Sequence, residues 1–388
     1  MKSGRVNQGR RQLLKTVTAG VAVGAAGVSF GRPPQHEILA KTARGWGCYP
    51  SYDKEWPWPV QLDLDLRTEL PPYSTRGYFI EQLSTIQRAY HFQPGTTSFS
   101  QWQVGLRQTL TARLGLDKQR RSPLEVRKVS AQEFDYYRLE KLVFQSEPGV
   151  WVPAILYLPK NSAICGKALL NCHGHGIGIE DTLYSYVLEF VRRGFIVLAP
   201  EVRDFGERAF GRPHEMACDR TYKLAAMLGK DVTGLRLWDF VRAIDYLETR
   251  PEVDRNRIAC GGLSLGGELA MLLASLDERV RAAFISGFLS TYEGLMFRVD
   301  NCICYAIPGI LEVCDMPDIA GLIAPRPLVI QSGTKDMAVP TAYTQEAFRH
   351  VQSVYRAANA GEKIVLDLFE GGHQFHGEKT FQIFNRWL

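Results

Sequence analysis

Ser264, Asp336 and His373 follow one another in the last third of the chain, each just behind a short apolar run. Ser264 lies in Gly262-Leu263-Ser264-Leu265-Gly266, where an apolar run, Ile258 to Cys260, meets a glycine-flanked serine and passes at once into a helical pattern. That is the sequence of a sharp strand-to-helix turn with the serine at its apex, and side chains in place of the flanking glycines would keep the helix from packing close to the strand. A serine hydroxyl is a weak nucleophile near neutral pH. An imidazole must take its proton, and a carboxylate must hold that imidazole in the right tautomer and stabilise its cation. Asp336, in Ser332-Gly333-Thr334-Lys335-Asp336, and His373, in Glu370-Gly371-Gly372-His373-Gln374-Phe375-His376, supply the two groups, with His376 as a reserve base and Asp318 as a distant reserve acid. The chemistry this set predicts is acyl transfer to Ser264.

Acyl transfer also needs donors for the oxygen on which charge develops. The glycine-rich stretch His173-Gly174-His175-Gly176-Ile177-Gly178 brings backbone N–H groups close to a ligand without side-chain obstruction. Gly174 and His175, together with the N–H of Leu265, are therefore the expected oxyanion hole. His173 and His175 have no third metal ligand at useful spacing, so no metal site and no cofactor are expected. Asp204 and Glu207, in Arg203-Asp204-Phe205-Gly206-Glu207-Arg208, read as partners of the adjacent arginines ahead of pocket-wall residues.

These positions need elements to carry them. Two apolar-rich runs, 137–144 and 150–158, flank a turn at Gln145 to Gly149 and read as a hairpin. Six further runs, at 168–172, 195–199, 257–260, 282–286, 328–331 and 363–369, alternate with helical patterns clearest at 183–193, 235–249 and 265–276. Strands alternating with helices imply an α/β fold with a mostly parallel sheet covered on both faces, plus an antiparallel edge from the hairpin. In such a sheet ligands bind beyond the carboxyl ends of the strands, where all the residues above fall.

The chain has 388 residues of ordinary globular composition and a formal charge of +5. Lys2, Arg5, Arg10, Arg11 and Lys15 account for that charge, which leaves the remainder near neutral and removes the motive for nucleic-acid binding. Arg10-Arg11-Gln12-Leu13-Leu14-Lys15, followed by the mildly apolar run Thr16 to Val28, matches a twin-arginine export signal over residues 1–30 and is too short for a comfortable membrane span. A partner export machinery, a periplasmic or secreted location and no stable membrane span after processing are expected. Residues 31–125 form an extension rich in aromatics and prolines, with Trp46, Trp56 and Trp58. It includes one amphipathic helix on which Trp102, Leu106, Leu110 and Leu114 share a face. The catalytic domain is expected over 126–388. Of eight cysteines, Cys302, Cys304 and Cys314 are the set in which a local disulfide is conceivable.

His173-Gly174-His175-Gly176, Gly262-Leu263-Ser264-Leu265-Gly266-Gly267, Ala324-Pro325-Arg326-Pro327 ahead of Asp336, and Gly371-Gly372-His373 together resemble the α/β-hydrolase superfamily, within it the acetylxylan-esterase-like and dienelactone-hydrolase-like group. Serine at 264 departs from the cysteine of dienelactone hydrolases, and Leu263 and Leu265 depart from the C-S-R-x-G pattern of glucuronoyl esterases. The resemblance implies an exported serine esterase acting on an acylated carbohydrate, a small-molecule or oligosaccharide ester. Two rivals use the same fold, a prolyl-oligopeptidase-like peptidase and a carbohydrate-binding protein without turnover.

Overall fold

The computed structural model describes residues 75–160, 166–176, 178–210, 218–299 and 301–388. The expected export signal and Trp46, Trp56 and Trp58 lie outside them. The chain divides into two units, Met1–Ser84 and Thr85–Leu388. Helix α1, Thr75–Thr85, belongs almost wholly to the first.

The second unit is built on one nine-stranded sheet. In chain order its strands are β1 (Arg127–Glu133), β2 (Tyr137–Glu147), β3 (Val150–Pro159), β4 (Ala168–Cys172), β5 (Ile196–Pro200), β6 (Ile258–Leu263), β7 (Ala282–Ser286), β8 (Leu328–Gly333) and β9 (Ile364–Phe369). Across the sheet the order is β1-β2-β3-β5-β4-β6-β7-β8-β9. From β5 to β9 every pairing is parallel, whereas β1, β2 and β3 pair antiparallel with one another and β3 pairs antiparallel with β5. The expected hairpin is β2–β3. β1 was not anticipated, because its sequence, RKVSAQE, is polar and mostly exposed, as suits an edge strand that must not invite further pairing. Every residue of β4, β5 and β7 is buried, which is why those strands read as unbroken apolar runs instead of alternating ones.

The helices of this unit are α2 (Phe99–Arg113), α3 (Val187–Arg192), α4 (Cys218–Met227), α5 (Val232–Leu247), α6 (Leu265–Leu276), α7 (Ile310–Val313), α8 (Met316–Gly321), α9 (Thr341–Ala357) and α10 (Glu378–Trp387). The helical pattern at 183–193 resolves into a 3-10 turn, Ile179–Tyr184, followed by the short α3. α5 starts earlier than its apolar stripe, because the side chain of Asp231 accepts the Gly234 N–H and caps it there. α6 is buried from Leu265 to Ser275 and packs against β6, β7 and β4.

Helix α2 belongs to the same compact unit and the same core as the sheet. Trp102, Leu106, Leu110 and Leu114 are buried in one cluster with Leu170, Leu198 and Leu272. Gly115, at φ 68°, takes the left-handed conformation that ends the helix. The Trp102 Nε1–H donates to Tyr90 O at 2.8 Å, and Gln103 Nε2 donates to Ala324 O at 2.8 Å, tying α2 to the stretch ahead of β8. Among the described residues no helix is long and apolar enough to cross a membrane.

Candidate active site

The chain leaves β4 to form β5 on one side and returns to form β6 on the other, so the strand order reverses at β4. A crevice opens at such a reversal beyond the strand ends. The two segments that enter it are the loop after β4, with His173 to Gly176, and the turn after β6, with Ser264.

Ser264 has φ 62° and ψ −125°, a backbone conformation that L-residues rarely adopt. It is held there by its own N–H, which donates to Ser286 O at 3.0 Å, and by its carbonyl, which accepts from Gly267 and Glu268 in the first turn of α6. The flanking glycines are required by contact. A Cβ at Gly262 would stand 2.2 Å from Cys172 O, and one at Gly266 would stand 2.0 Å from the same oxygen. Strand β4, strand β6 and helix α6 therefore meet closely enough that only hydrogen fits between them.

Asp336 follows β8 and is buried. Its Oδ1 accepts the N–H groups of Ala338 at 2.9 Å and Val339 at 3.0 Å, and its Oδ2 accepts from His373 Nδ1 at 2.7 Å. The carboxylate is thus fixed by backbone donors and aimed at one imidazole. His373 lies over Gly287, the residue after Ser286, with its Cε1 only 3.0 Å from where a Gly287 Cβ would be. Since Ser264 hangs from Ser286 O, the imidazole and the serine share the end of β7. With Nδ1 committed to Asp336, Nε2 is the nitrogen left for proton transfer.

The reserve residues are engaged elsewhere. His376 Nδ1 donates to Asp367 Oδ2 at 2.9 Å and its ring stacks on Phe369, so it has a carboxylate of its own on β9. Asp318 closes the capping box of α8 and accepts from Phe92 N–H and His350 Nε2. Burial alone would raise the Asp318 carboxyl, but the hydrogen bonds from His350 and His91 outweigh it and hold it at about 2.

Of the expected oxyanion donors, Leu265 opens α6, where the first N–H groups have no intrahelical acceptor. Gly174 packs on the turn itself. A Cβ there would meet Leu263 O at 2.6 Å and Ser264 Cβ at 3.4 Å. His173 is buried and pins this loop, its Nδ1–H donating to Gly174 O at 3.0 Å while Nε2 accepts the Val202 N–H at 2.9 Å. The His175 side chain turns away from that role. Its Nδ1 faces Tyr305 Oη at 3.3 Å and its Nε2 faces Cys304 Sγ at 3.4 Å.

Tyr305 is a member of the site that its sequence gave no reason to single out, because it sits in an irregular connection between β7 and β8. Its hydroxyl lies against the Ser264 side chain, and burial pushes its pKa well above the ordinary value, so it stays a neutral hydroxyl. The acidic residues after β5 have other partners than expected. Asp204 Oδ2 accepts from Arg236 at 2.9 Å, Glu207 pairs with Lys141, and the adjacent Arg203 and Arg208 both bind Asp239. A separate cleft of about 710 Å³, lined by Arg107, Trp238, Glu278 and Arg279, contains none of the residues around Ser264.

A mostly parallel sheet with a serine elbow after β6, an acid after β8 and a histidine after β9 defines an α/β hydrolase. More narrowly, the chain belongs to the abhydrolase family Abhydrolase_7, whose sequence profile matches residues 67–364. YtaP of Bacillus subtilis strain 168, taken to be a hydrolase, is 26% identical over an alignment 269 residues long that covers 65% of this chain and 88% of its own. A Bacteroides fragilis protein taken to be an acetyl xylan esterase superposes with a TM-score of 0.66 at 21% identity, over 76% of this chain and 82% of that one. A glucuronoyl esterase from Solibacter usitatus superposes with a TM-score of 0.58 at 13% identity, over 78% of this chain and 99% of that one. At these identities the likeness to the solved structures is one of fold.

Proposed function

We propose that this hydrolase is an exported serine esterase that deacylates carbohydrates, most simply by removing acetyl groups. The observation that carries the reading is the Asp336–His373 hydrogen bond at 2.7 Å, set beside a serine in a strained turn. Ser264 Oγ attacks the ester carbonyl while His373 Nε2 takes its proton, and Asp336 stabilises the imidazolium through Nδ1. The N–H groups of Leu265, Gly174 and His175 receive the oxyanion. His373 then returns the proton to the departing alcohol, leaving an acyl-Ser264. A water deprotonated by His373 hydrolyses it to the carboxylic acid and free serine. No group beyond these side chains is needed to balance either step. The ester class draws support from the solved neighbours, which include proteins named as acetyl xylan, glucuronoyl and methyl esterases. The carbohydrate alcohol and the location outside the cytoplasm draw theirs from the same names and from Arg10-Arg11 with the apolar run behind it.

A chromogenic acetyl ester and an aminoacyl-proline amide, offered to the purified chain, test the reading. Turnover of the ester is expected, and Ser264→Ala is expected to lower kcat at least about a thousandfold. Cleavage of the amide alone would make the protein a peptidase, and ester turnover that survives Ser264→Ala would remove Ser264 from the mechanism.

A further inference from the structure

Four potential metal ligands from three distant parts of the chain meet beside the candidate oxyanion loop. His175 Nε2 and the sulfurs of Cys218, Cys302 and Cys304 all lie within 4.8 Å of one another. His175 comes from the loop after β4, Cys218 opens α4, and Cys302 and Cys304 flank Ile303 ahead of Tyr305. The absence of local spacing, which argued against a metal at His173 and His175, is overcome by the fold. The two histidines separate, His173 pinning the loop and His175 turning to the cysteines. We propose that His175, Cys218, Cys302 and Cys304 form a closed tetrahedral Zn²⁺ site that fastens the walls of the active site around Ser264.

The geometry is near what zinc requires. Bonds of about 2.3 Å to sulfur and 2.0–2.1 Å to nitrogen place tetrahedral ligand atoms about 3.5–3.8 Å apart. His175 Nε2 and Cys304 Sγ already stand at 3.4 Å. The softness of three thiolates and one imidazole selects zinc over magnesium or calcium. Four protein ligands leave no open position, so the site is structural.

The surroundings fit as well. A zinc ion with three thiolates and a neutral imidazole carries a net charge of about −1. The fully buried guanidinium of Arg236 stands against this cluster, one nitrogen donating to Cys218 Sγ at 3.7 Å and to Asp204 Oδ2 at 2.9 Å. Its Nε and Nη1 have no hydrogen-bond partner among the described residues. A ligating histidine usually donates its other ring N–H to an oxygen, which fixes its tautomer. Here Nδ1 of His175 faces Tyr305 Oη at 3.3 Å. With the metal on Nε2, Nδ1–H donates to Tyr305 and leaves the tyrosine proton directed toward Ser264, against which that hydroxyl lies. The Cys304 carbonyl is held in turn by the Thr233 hydroxyl at 3.2 Å.

The test begins with the reduced, full-length wild-type chain. Elemental analysis after gel filtration is expected to find about one zinc per chain. Replacing zinc by Co²⁺ is expected to give thiolate-to-cobalt charge-transfer absorption and the intense ligand-field bands of a tetrahedral site. Cys302→Ser and Cys218→Ser are expected to lower the zinc content at least about tenfold, while Cys314→Ser, at a buried thiol outside the cluster, is expected to keep it. If the variants do not fold, the wild-type cobalt spectrum still decides. A wild-type chain that binds neither metal overturns the site, as does one isolated with two of these cysteines joined in a disulfide and no zinc. None of these readouts depends on ester turnover, so the site stands or falls apart from the proposed reaction.

Discussion

Two histidines three positions apart follow β9, and their carboxylates separate their roles. His373 faces Asp336, whose other oxygen is held by two backbone N–H groups, and it lies over the end of β7 beside Ser264. His376 faces Asp367 within the sheet. Removing the first imidazole should stop the proposed chemistry, and removing the second should weaken the fold. His373→Ala is expected to lower kcat by at least about a thousandfold. His376→Ala is expected to keep kcat within a few-fold but to destabilise the protein by about 1–3 kcal/mol, because Asp367 is left buried without its imidazole. Ester kinetics and calorimetry on the two variants check this, and the reverse pattern would make His376 the base.

At the scale of the element, the site is delivered by helices whose starts are set by single residues. Asp231 caps α5 through Oδ1, while its Oδ2 has no partner among the described residues. Burial pushes its carboxyl up to about 6, against the backbone N–H groups of Gly234 and Thr233 and the charge of Arg236, which pull it down. The unfolded chain holds an ordinary carboxyl near 3.9, so between about pH 4 and pH 6 the folded state keeps a proton that the unfolded state has lost. Stability from this group is therefore present at low pH and is lost as pH rises through about 6. Asn caps a helix as well as Asp does and carries no charge to bury. Asp231→Asn is expected to be more stable than wild type by about 1–3 kcal/mol at pH 7 and equal to it near pH 4. Denaturant melts at the two pH values check this, and a variant less stable at pH 7 would show that the Asp231 charge, facing Arg236, is a net benefit.

Across the whole molecule, the compact unit that holds the site begins at Thr85, and the profile match begins at residue 67, well ahead of the first strand. Helix α2 lies inside both, where it lays Trp102, Leu106 and Leu110 into the core and reaches the stretch ahead of β8 through Gln103. A chain beginning at 126 would uncover that apolar surface. It is expected to be insoluble or molten, with near-ultraviolet circular dichroism lost, whereas a chain beginning at Thr85 is expected to keep a cooperative melt. Trp102→Ala in the full chain is expected to destabilise by about 3–5 kcal/mol. A soluble, cooperatively melting 126–388 fragment would show that α2 is an accessory to the core.

Much of this protein was legible along the chain because the relevant physics is local. Buried parallel strands read as apolar runs, the elbow is carried by five adjacent residues, and the acid and base follow their strands directly. The order Ser264, Asp336, His373 could be placed at one end of a sheet without knowing the sheet's strand order. Asp336 and His373 could be paired across 37 positions only because the chemistry of Ser264 asks for both, and what lay beyond reach was the distant pairings that no such chemistry announces. Tyr305 and Cys304 meet His175 across 130 and 129 positions, and Asp204 passes over its adjacent arginines for Arg236, 32 positions on. The polar edge strand β1 was invisible for the opposite reason, since a strand with little to bury leaves no hydrophobic pattern. The sequence by itself determined the buried elements and which reactive residue types follow each strand. Only the tertiary structure, through the reversal of strand order at β4, decided which strand ends face one another and so which side chains can act together.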